Sequence, residues 1–424
     1  MSLVAKPLIL GKARIASPIR SPLRVQTHIP LHISYGKKRR REPNYLFESA
    51  GPRSRIYFDP PRTKVGIVTC GGICPGLNTV IRSVFLELYH SYGVRHVLGF
   101  RNGYKGLDPA SGLAPLKFTP ELVDDIHKEG GTILGTSRGP VDTGVAVNNL
   151  IKRGINILFV VGGDGTQRGG REIFQEAKRR GYPLAVVGIP KTIDNDVPYV
   201  SPTFGYQTAV AEAEKVIAGA HVEAKSVENG ITLVKLMGRH SGFIAVEATV
   251  ASQDVNFCLI PEIPFQLHGR RGFLNALKQR ILKRSHAVIV VAEGAGQDLL
   301  ANTGEERDAS GNIKLRDIGS FLCGEISDHF KREKIPAVVR CVDPGYIIRS
   351  VPASAADMIL CDQYARNAVH AAMAGKTGLV IGLLHSRFIH IPVDMLGSHQ
   401  KRVDPAGPLW HAVLETTGQP YRFE

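Results

Sequence analysis

The chain has 424 residues, 43% of them apolar, 21% charged and 7% aromatic, which excludes disorder throughout and suits two domains or one large α/β unit. Six cysteines are too few for a disulfide scaffold, Cys70 and Cys74 lack a second Cys or His cluster for zinc, and no apolar run reaches the ~18 residues that span a bilayer. The net charge of +15 points at first to nucleic acid or an anionic membrane, yet ten of its cations lie in Met1–Arg41, ahead of the first acid, Glu42. The remainder carries 43 basic and 38 acidic residues, a net of +5.

Residues 1–55 read as a basic N-terminal extension, interrupted by Pro7, Pro18, Pro22, Pro30, Pro43 and Pro52 and without sustained periodicity. The run Lys37-Lys38-Arg39-Arg40-Arg41 admits a nucleic-acid or import role; a solvated extension or subunit-contact arm is the plainer reading. Lacking acids and containing Ser and Arg, the first 35 residues also have a transit-peptide flavour, but no amphipathic helix surrounds Leu8-Ile9-Leu10.

From Lys64 onward, β-branched runs alternate with helical patterns. The expected strands are 65–69, 94–100, 155–161, 184–189, 231–236, 287–292, 337–342 and 379–384. Runs apolar on both faces belong in parallel sheets covered by helices, so the pattern predicts doubly wound α/β architecture with enough strands for two sheets. Three of these strands end in distinctive turns: Cys70-Gly71-Gly72-Ile73-Cys74-Pro75-Gly76, Gly162-Gly163-Asp164-Gly165-Thr166 and Pro190-Lys191-Thr192-Ile193-Asp194-Asn195-Asp196. Turns at the carboxyl ends of parallel strands converge on the crevice where such sheets bind ligands.

Glycines let backbone N–H groups approach a polyphosphate, and a following helix N-terminus adds a favourable dipole. Asp164 would repel phosphate without a cation, which implies Mg²⁺; its bland alternative is a helix cap. Asp194 and Asp196 can divide proton acceptance from metal binding, with Lys191 and Thr192 supplying a cation and a hydroxyl. An Asx-rich turn is the alternative there. Two decoys fail: Gly375-Lys376-Thr377 lacks the first P-loop glycine, replaced by His370, and the dinucleotide fingerprint begun at Gly163 breaks at Arg168.

Taken in order, Gly71-Gly72-x-x-Pro75-Gly76, Gly162–Thr166, Pro190–Asp196 and Met237-Gly238-Arg239 resemble the signature of phosphofructokinases, from about Asn44 to the C-terminus. The resemblance is closest to the branch with plant and kinetoplastid ATP-dependent enzymes, through 162–169, 234–242 and 292–298. It implies two Rossmann-like, doubly wound parallel-sheet domains with the active site in the cleft between them. The phosphofructokinase domain would span 56–424, with a nucleotide-binding half at 60–203 plus part of the C-terminal segment and a sugar-phosphate half at 204–348.

The implied reaction is ATP-dependent phosphorylation of fructose 6-phosphate at its 1-hydroxyl, the committed step of glycolysis. Asp194 matches the proton acceptor, with Thr192 and Arg239 beside it in the catalytic group. Asp164 matches the magnesium position, with Asp196 near the ion. Gly72, Arg138, Gly139, Gly163, Asp164, Gly165 and Thr166 match the nucleotide site. Thr192, Ile193, Asp194, Met237, Gly238, Arg239, Glu293, Tyr346, Ile347, Ile348 and Arg349 match the sugar-phosphate side, and Arg340 a phosphate-binding arginine. Physically, Glu293 should project from a strand end toward sugar hydroxyls, and guanidinium groups suit bidentate phosphate recognition.

Donor choice rests on Gly165 and Lys191. Glycine at the first leaves room for ATP; lysine at the second occurs in pyrophosphate-dependent members, and the plant and kinetoplastid branch combines both and uses ATP. A pyrophosphate-dependent phosphofructokinase is therefore the alternative, ahead of a nucleic-acid-binding protein. Two departures stand out. Tyr346 replaces the histidine of bacterial members, and Gly230 stands where they lend an arginine across the subunit boundary, with Lys225 as a candidate substitute. The resemblance further implies a homo-oligomer (dimer or tetramer), allosteric control and a cytoplasmic location, with organelle import through the extension left open. The apolar runs point to no membrane, and the confinement of the excess charge to the extension speaks against a nucleic-acid partner.

Overall fold

In the computed structural model, which describes residues 2–20, 27–33, 44–139, 141–300, 306, 313–397 and 400–424, the chain forms two units. The first contains 1–193, 197–205 and 350–399; the second contains 194–196, 206–349 and 400–424.

The first unit is built on a seven-stranded sheet. Its order is Arg387–Pro392, Leu379–Leu384, Ala185–Pro190, Ile157–Gly162, Lys64–Thr69, His96–Phe100 and Leu116–Lys117. The five inner strands are parallel and the two edges antiparallel. Every residue of Ile157–Gly162 and Ala185–Pro190 is buried, as strands covered by helices on both faces must be. Helices Thr143–Arg153 and Asp164–Arg179 contribute Leu150 and Ile173 to a core with Val68, Phe100 and Val160. Chain order reverses between Lys64–Thr69 and Ile157–Gly162, so a topological switch point lies at their carboxyl ends.

The second unit holds a parallel four-stranded sheet in the order Phe257–Leu259, His286–Ala292, Gly230–Leu236 and Val338–Val342. Leu233, Ile289, Phe273, Leu322 and Phe423 pack in its core. The C-terminal segment is bound in as well: Gln419 exchanges hydrogen bonds with the Cys258 backbone, and the Phe423 ring lies 5.5 Å from that of Phe273. All eight expected strands are present, with ends displaced by at most two residues. Phe257–Leu259 and Arg387–Pro392 were not anticipated, the former because three residues carry too little pattern. Among the described residues no helix is long and apolar enough to cross a membrane.

The extension, read as a solvated extension or subunit-contact arm without sustained periodicity, carries regular structure. Its described parts form short strands: Asn44–Glu48 lies between Ser2–Ala5 and His28–Pro30, Leu8–Ile9 pairs with Lys376–Thr377, and Ile15–Ala16 with Arg55–Ile56. Strands of two to five residues are too short to register a period, and some partners lie more than 300 residues away. Glu48 anchors the extension: its carboxylate accepts from Lys376 Nζ at 2.7 and 2.8 Å and from Arg53 at 2.9 Å. The Lys37–Arg41 run lies outside the described residues.

His390 is fully buried beside Glu48, and burial pushes its imidazole down to about 4. His370, whose Nδ1 meets the Tyr92 hydroxyl at 2.9 Å, is pushed to about 4 chiefly by burial, aided by the Arg366 charge. Both are neutral in the fold, whereas the unfolded chain takes up protons below about pH 6.5. The unfolded state therefore binds more protons between pH 6.5 and 4, and stability is lost as pH falls through that window. Urea unfolding at pH 7.5, 6 and 5 should give midpoints that drop progressively below pH 6.5; a flat profile would contradict neutral burial of the two histidines.

Candidate active site

In the first unit three turns follow three adjacent strands, and the backbone stitches them together. Cys70 N donates to Val161 O at 2.9 Å and Lys191 N to Gly162 O at 3.1 Å. Lys191 Nζ donates to Gly72 O across the switch point. Gly71 N donates to Ser137 O at 3.1 Å, which brings Arg138 and Gly139 alongside the first glycine turn. Gln167 Nε2 ties Gly162 O (2.9 Å) to Ile189 O (3.3 Å).

Gly163 occupies the cap position of helix Asp164–Arg179, so Asp164 is the first helical residue and the cap reading falls away. The N–H groups of this first turn have no intrahelical acceptor and face the edge where the glycine turns meet, a ready anion site. Thr166 is buried, and its carbonyl accepts from the Tyr104 hydroxyl at 2.5 Å. Gly165 is exposed, and a Cβ added there would meet nothing nearer than Arg168 at 3.7 Å. Thr192 O accepts from Thr203 Oγ1 at 2.8 Å, and Ile193 is buried.

The second unit repeats the logic. Arg239 N lies 3.5 Å from the Asp194 carboxylate, and Ser241 Oγ donates to Asp194 O at 3.1 Å. Gly238 bends the chain at φ +132°, and its carbonyl accepts from Gly294 N at 3.1 Å, while Glu293 N donates to Leu236 O at 2.9 Å. Glu293 thus stands directly beyond strand His286–Ala292, where burial pushes its carboxyl up and the Arg239 and Lys235 charges oppose that shift. The Arg349 guanidinium sits over the Tyr346 ring at 4.8 Å, with Ile347 exposed and Ile348 buried in the short helix between them. The Arg239 guanidinium donates to Ile313 O.

The structure therefore gathers Asp194, Met237, Gly238, Arg239, Glu293, Tyr346 and Arg349 at one edge of the second sheet. Arg340 stands apart from them: it lies mid-strand opposite Thr232 and pairs with Glu223 at 3.1 Å. A carboxylate addressed by a backbone N–H, with arginines nearby, can accept a proton and hold an anion.

Residues 64–372 match the phosphofructokinase family. The chain belongs to that family. It is 48% identical to an ATP-dependent 6-phosphofructokinase of Borreliella burgdorferi (90% of this chain, 86% of the relative). It is 50% identical to ATP-dependent 6-phosphofructokinase 7 of Arabidopsis thaliana (88% and 77%) and 49% identical to the Trypanosoma cruzi ATP-dependent enzyme (88% and 76%). A crystal structure of a pyrophosphate-dependent phosphofructokinase from Marinobacter aquaeolei superposes with a TM-score of 0.68 over 85% of this chain and 93% of that one. At 19% identity it shows the shared fold.

Three positions of this phosphofructokinase take their meaning from the fold. Gly230 admits no side chain at all, because a Cβ there would come 2.1 Å from Ala224 O. The absent arginine is excluded by the backbone. Lys225 does not join the gathered residues of its own unit: it lies near His286, at the amino end of a strand whose carboxyl end carries Glu293. Lys235, inside a strand, carries no sequence signal of its role. It bridges Asp317 and Asp343, each at 2.9 Å, and so braces the turn that leads to Tyr346 and Arg349.

Gly238 combines a left-handed φ with a position where a Cβ would lie 2.5 Å from Ser241 O. Gly238→Ala should destabilise the protein by about 1–3 kcal/mol and reduce activity, read by urea unfolding and a kinase assay on the same preparation. Unchanged values in both would show that the turn does not need the glycine.

Proposed function

We propose that this phosphofructokinase transfers the γ-phosphoryl group of ATP to the 1-hydroxyl of fructose 6-phosphate, giving fructose 1,6-bisphosphate and ADP, the committed step of glycolysis. What carries the reading is Asp194, fixed by Arg239 N and Ser241 Oγ inside the Thr-Ile-Asp-Asn-Asp turn. The names of relatives 43–50% identical to this chain support the donor and acceptor.

Asp194 accepts the proton of the 1-hydroxyl as its oxygen bonds to the γ-phosphorus and the bond to ADP breaks. Arg239 faces the charge that develops on the moving group, and Thr192 offers it a hydroxyl. Gly72, Arg138, Gly139 and Gly163 to Thr166 cradle the nucleotide, with the helix start at Asp164 directed to its phosphates. Met237, Gly238, Glu293, Tyr346, Ile347, Ile348 and Arg349 hold the sugar phosphate, and Arg340 remains assigned to a phosphate. Asp164 and Asp196 are the acids assigned to Mg²⁺, a hard cation that takes carboxylate and phosphate oxygens and keeps several waters. When bound, the ion neutralises phosphate charge. The resemblance alone carries the homo-oligomer, the allosteric control and the cytoplasmic setting.

A pyrophosphate-dependent reaction is the second reading, favoured only by Lys191. Gly165 argues for ATP, since its open surroundings leave space that an aspartate would fill with charge. A coupled assay with fructose 6-phosphate and Mg²⁺ should show turnover with ATP and little with pyrophosphate; the reverse would exchange the two readings. Gly165→Asp should fold normally yet impair ATP use at least about tenfold, and unchanged ATP kinetics would remove the donor argument. Asp194→Ser should cut kcat by about 10³-fold with KM largely kept, and near-normal turnover would remove Asp194 from the base role.

A further inference from the structure

We infer that Lys401, far outside every recognised motif, is a positioning residue for phosphoryl transfer that holds the Asp194–Asp196 turn in its working conformation. The inference rests on the reading of Asp194 as the proton acceptor.

The C-terminal segment returns to the second unit and passes directly behind that turn. Lys401 N donates to Asp196 O at 2.8 Å, and Lys401 Nζ donates to Asn195 Oδ1 at 2.8 Å. The ammonium also sits 5.1 Å from the centre of the Phe243 ring, within cation–π range. An ammonium withdrawn from water needs such partners, and these belong to the turn itself and to the helix beside it.

Asn195 sits between the two acids of the turn; it is buried, with 4% exposed, and adopts φ +55°, a left-handed conformation open to Asn. Its side chain is also hydrogen-bonded to the Tyr206 hydroxyl, which is linked in turn to Glu247. Two residues past Lys401, Val403 N donates to Glu262 Oε1 at 2.9 Å, and the same carboxylate takes Gly242 N at 3.0 and 3.1 Å. Gly242 adjoins Ser241, whose hydroxyl holds Asp194 O. Residues 401–403 therefore close a ring of contacts around the turn: Lys401 grips Asn195 and Asp196, and Glu262 ties the strap to the segment that grips Asp194. Both grips hold the Asp194 carboxylate to one bearing on a substrate hydroxyl.

Lys401→Met keeps length and volume and removes only the ammonium. It should lower kcat by about 10²-fold while either KM changes by less than about threefold, since small misplacement of a reacting group costs rate before affinity. Lys401→Arg should restore most of the loss. Hydrogen exchange of a peptide covering 192–200 should speed up in the methionine variant, and the Asn195→Ala/Lys401→Met double variant should be no slower than the worse single one. Near-normal kcat, additive losses in the double variant, or a fall that tracks melting temperature without arginine rescue would each overturn the positioning role. If the methionine variant does not accumulate as folded protein, Lys401→Gln is read by the same criteria. Near-normal turnover of Asp194→Ser defeats the base reading; an inactive Asp194→Ser beside an active Lys401→Met defeats only the role given to Lys401.

Discussion

Parallel strands deliver every turn that follows them to one edge of the sheet, and in this protein neighbouring turns are bonded backbone to backbone along that edge. In the first unit Cys70 N reaches Val161 O, and Lys191 N reaches Gly162 O. In the second, Glu293 N reaches Leu236 O, and Gly294 N reaches Gly238 O. Such bonds fix one turn relative to the next with the stiffness of the sheet itself. Side chains at the tips inherit that precision, which phosphoryl transfer needs because positioning and electrostatics supply nearly all of its catalysis.

The charges follow the same plan. The cations whose charges act on Glu293 are braced by other groups: Lys235 between Asp317 and Asp343, and Arg349 over Tyr346. Glu293, drawn toward the neutral form by burial, is held back by Arg239 and Lys235. Acids and bases are thus set against one another in a partly dehydrated place, where each interaction is stronger than at an exposed surface. The cations of the extension belong to a different part of the molecule, and the described ones are tied by short strands to the first unit.

Much of this was legible in the sequence because the parallel strands are apolar on both faces and their turns keep local signatures. Ile157–Gly162 announces itself by composition, and the Gly-Gly-Asp after it by chemistry. The features that escaped have non-local causes. Lys376 pairs with Glu48 across more than 300 residues, and Lys401 with Asn195 across more than 200, so no window of sequence contains both partners. Gly230 reads as an ordinary glycine until Ala224 O is seen pressing against it. Arg340 is matched to a phosphate by its guanidinium, but its pairing with Glu223 from the middle of a strand joins residues more than 100 positions apart.

The division of the chain has a consequence for the order of folding. The first unit is discontinuous: its sheet lacks Leu379–Leu384 and Arg387–Pro392 until nearly the whole polypeptide exists. The four strands of the second unit, in contrast, all lie between Gly230 and Val342. During synthesis from the N-terminus, the sheet in the middle of the chain can therefore close before the one that begins it, leaving Ala185–Pro190 as a bare edge in the meantime. A long apolar edge exposed on a nascent chain invites association with other chains. The strands at 379–392 act as the lock on the sheet begun by the first two hundred residues.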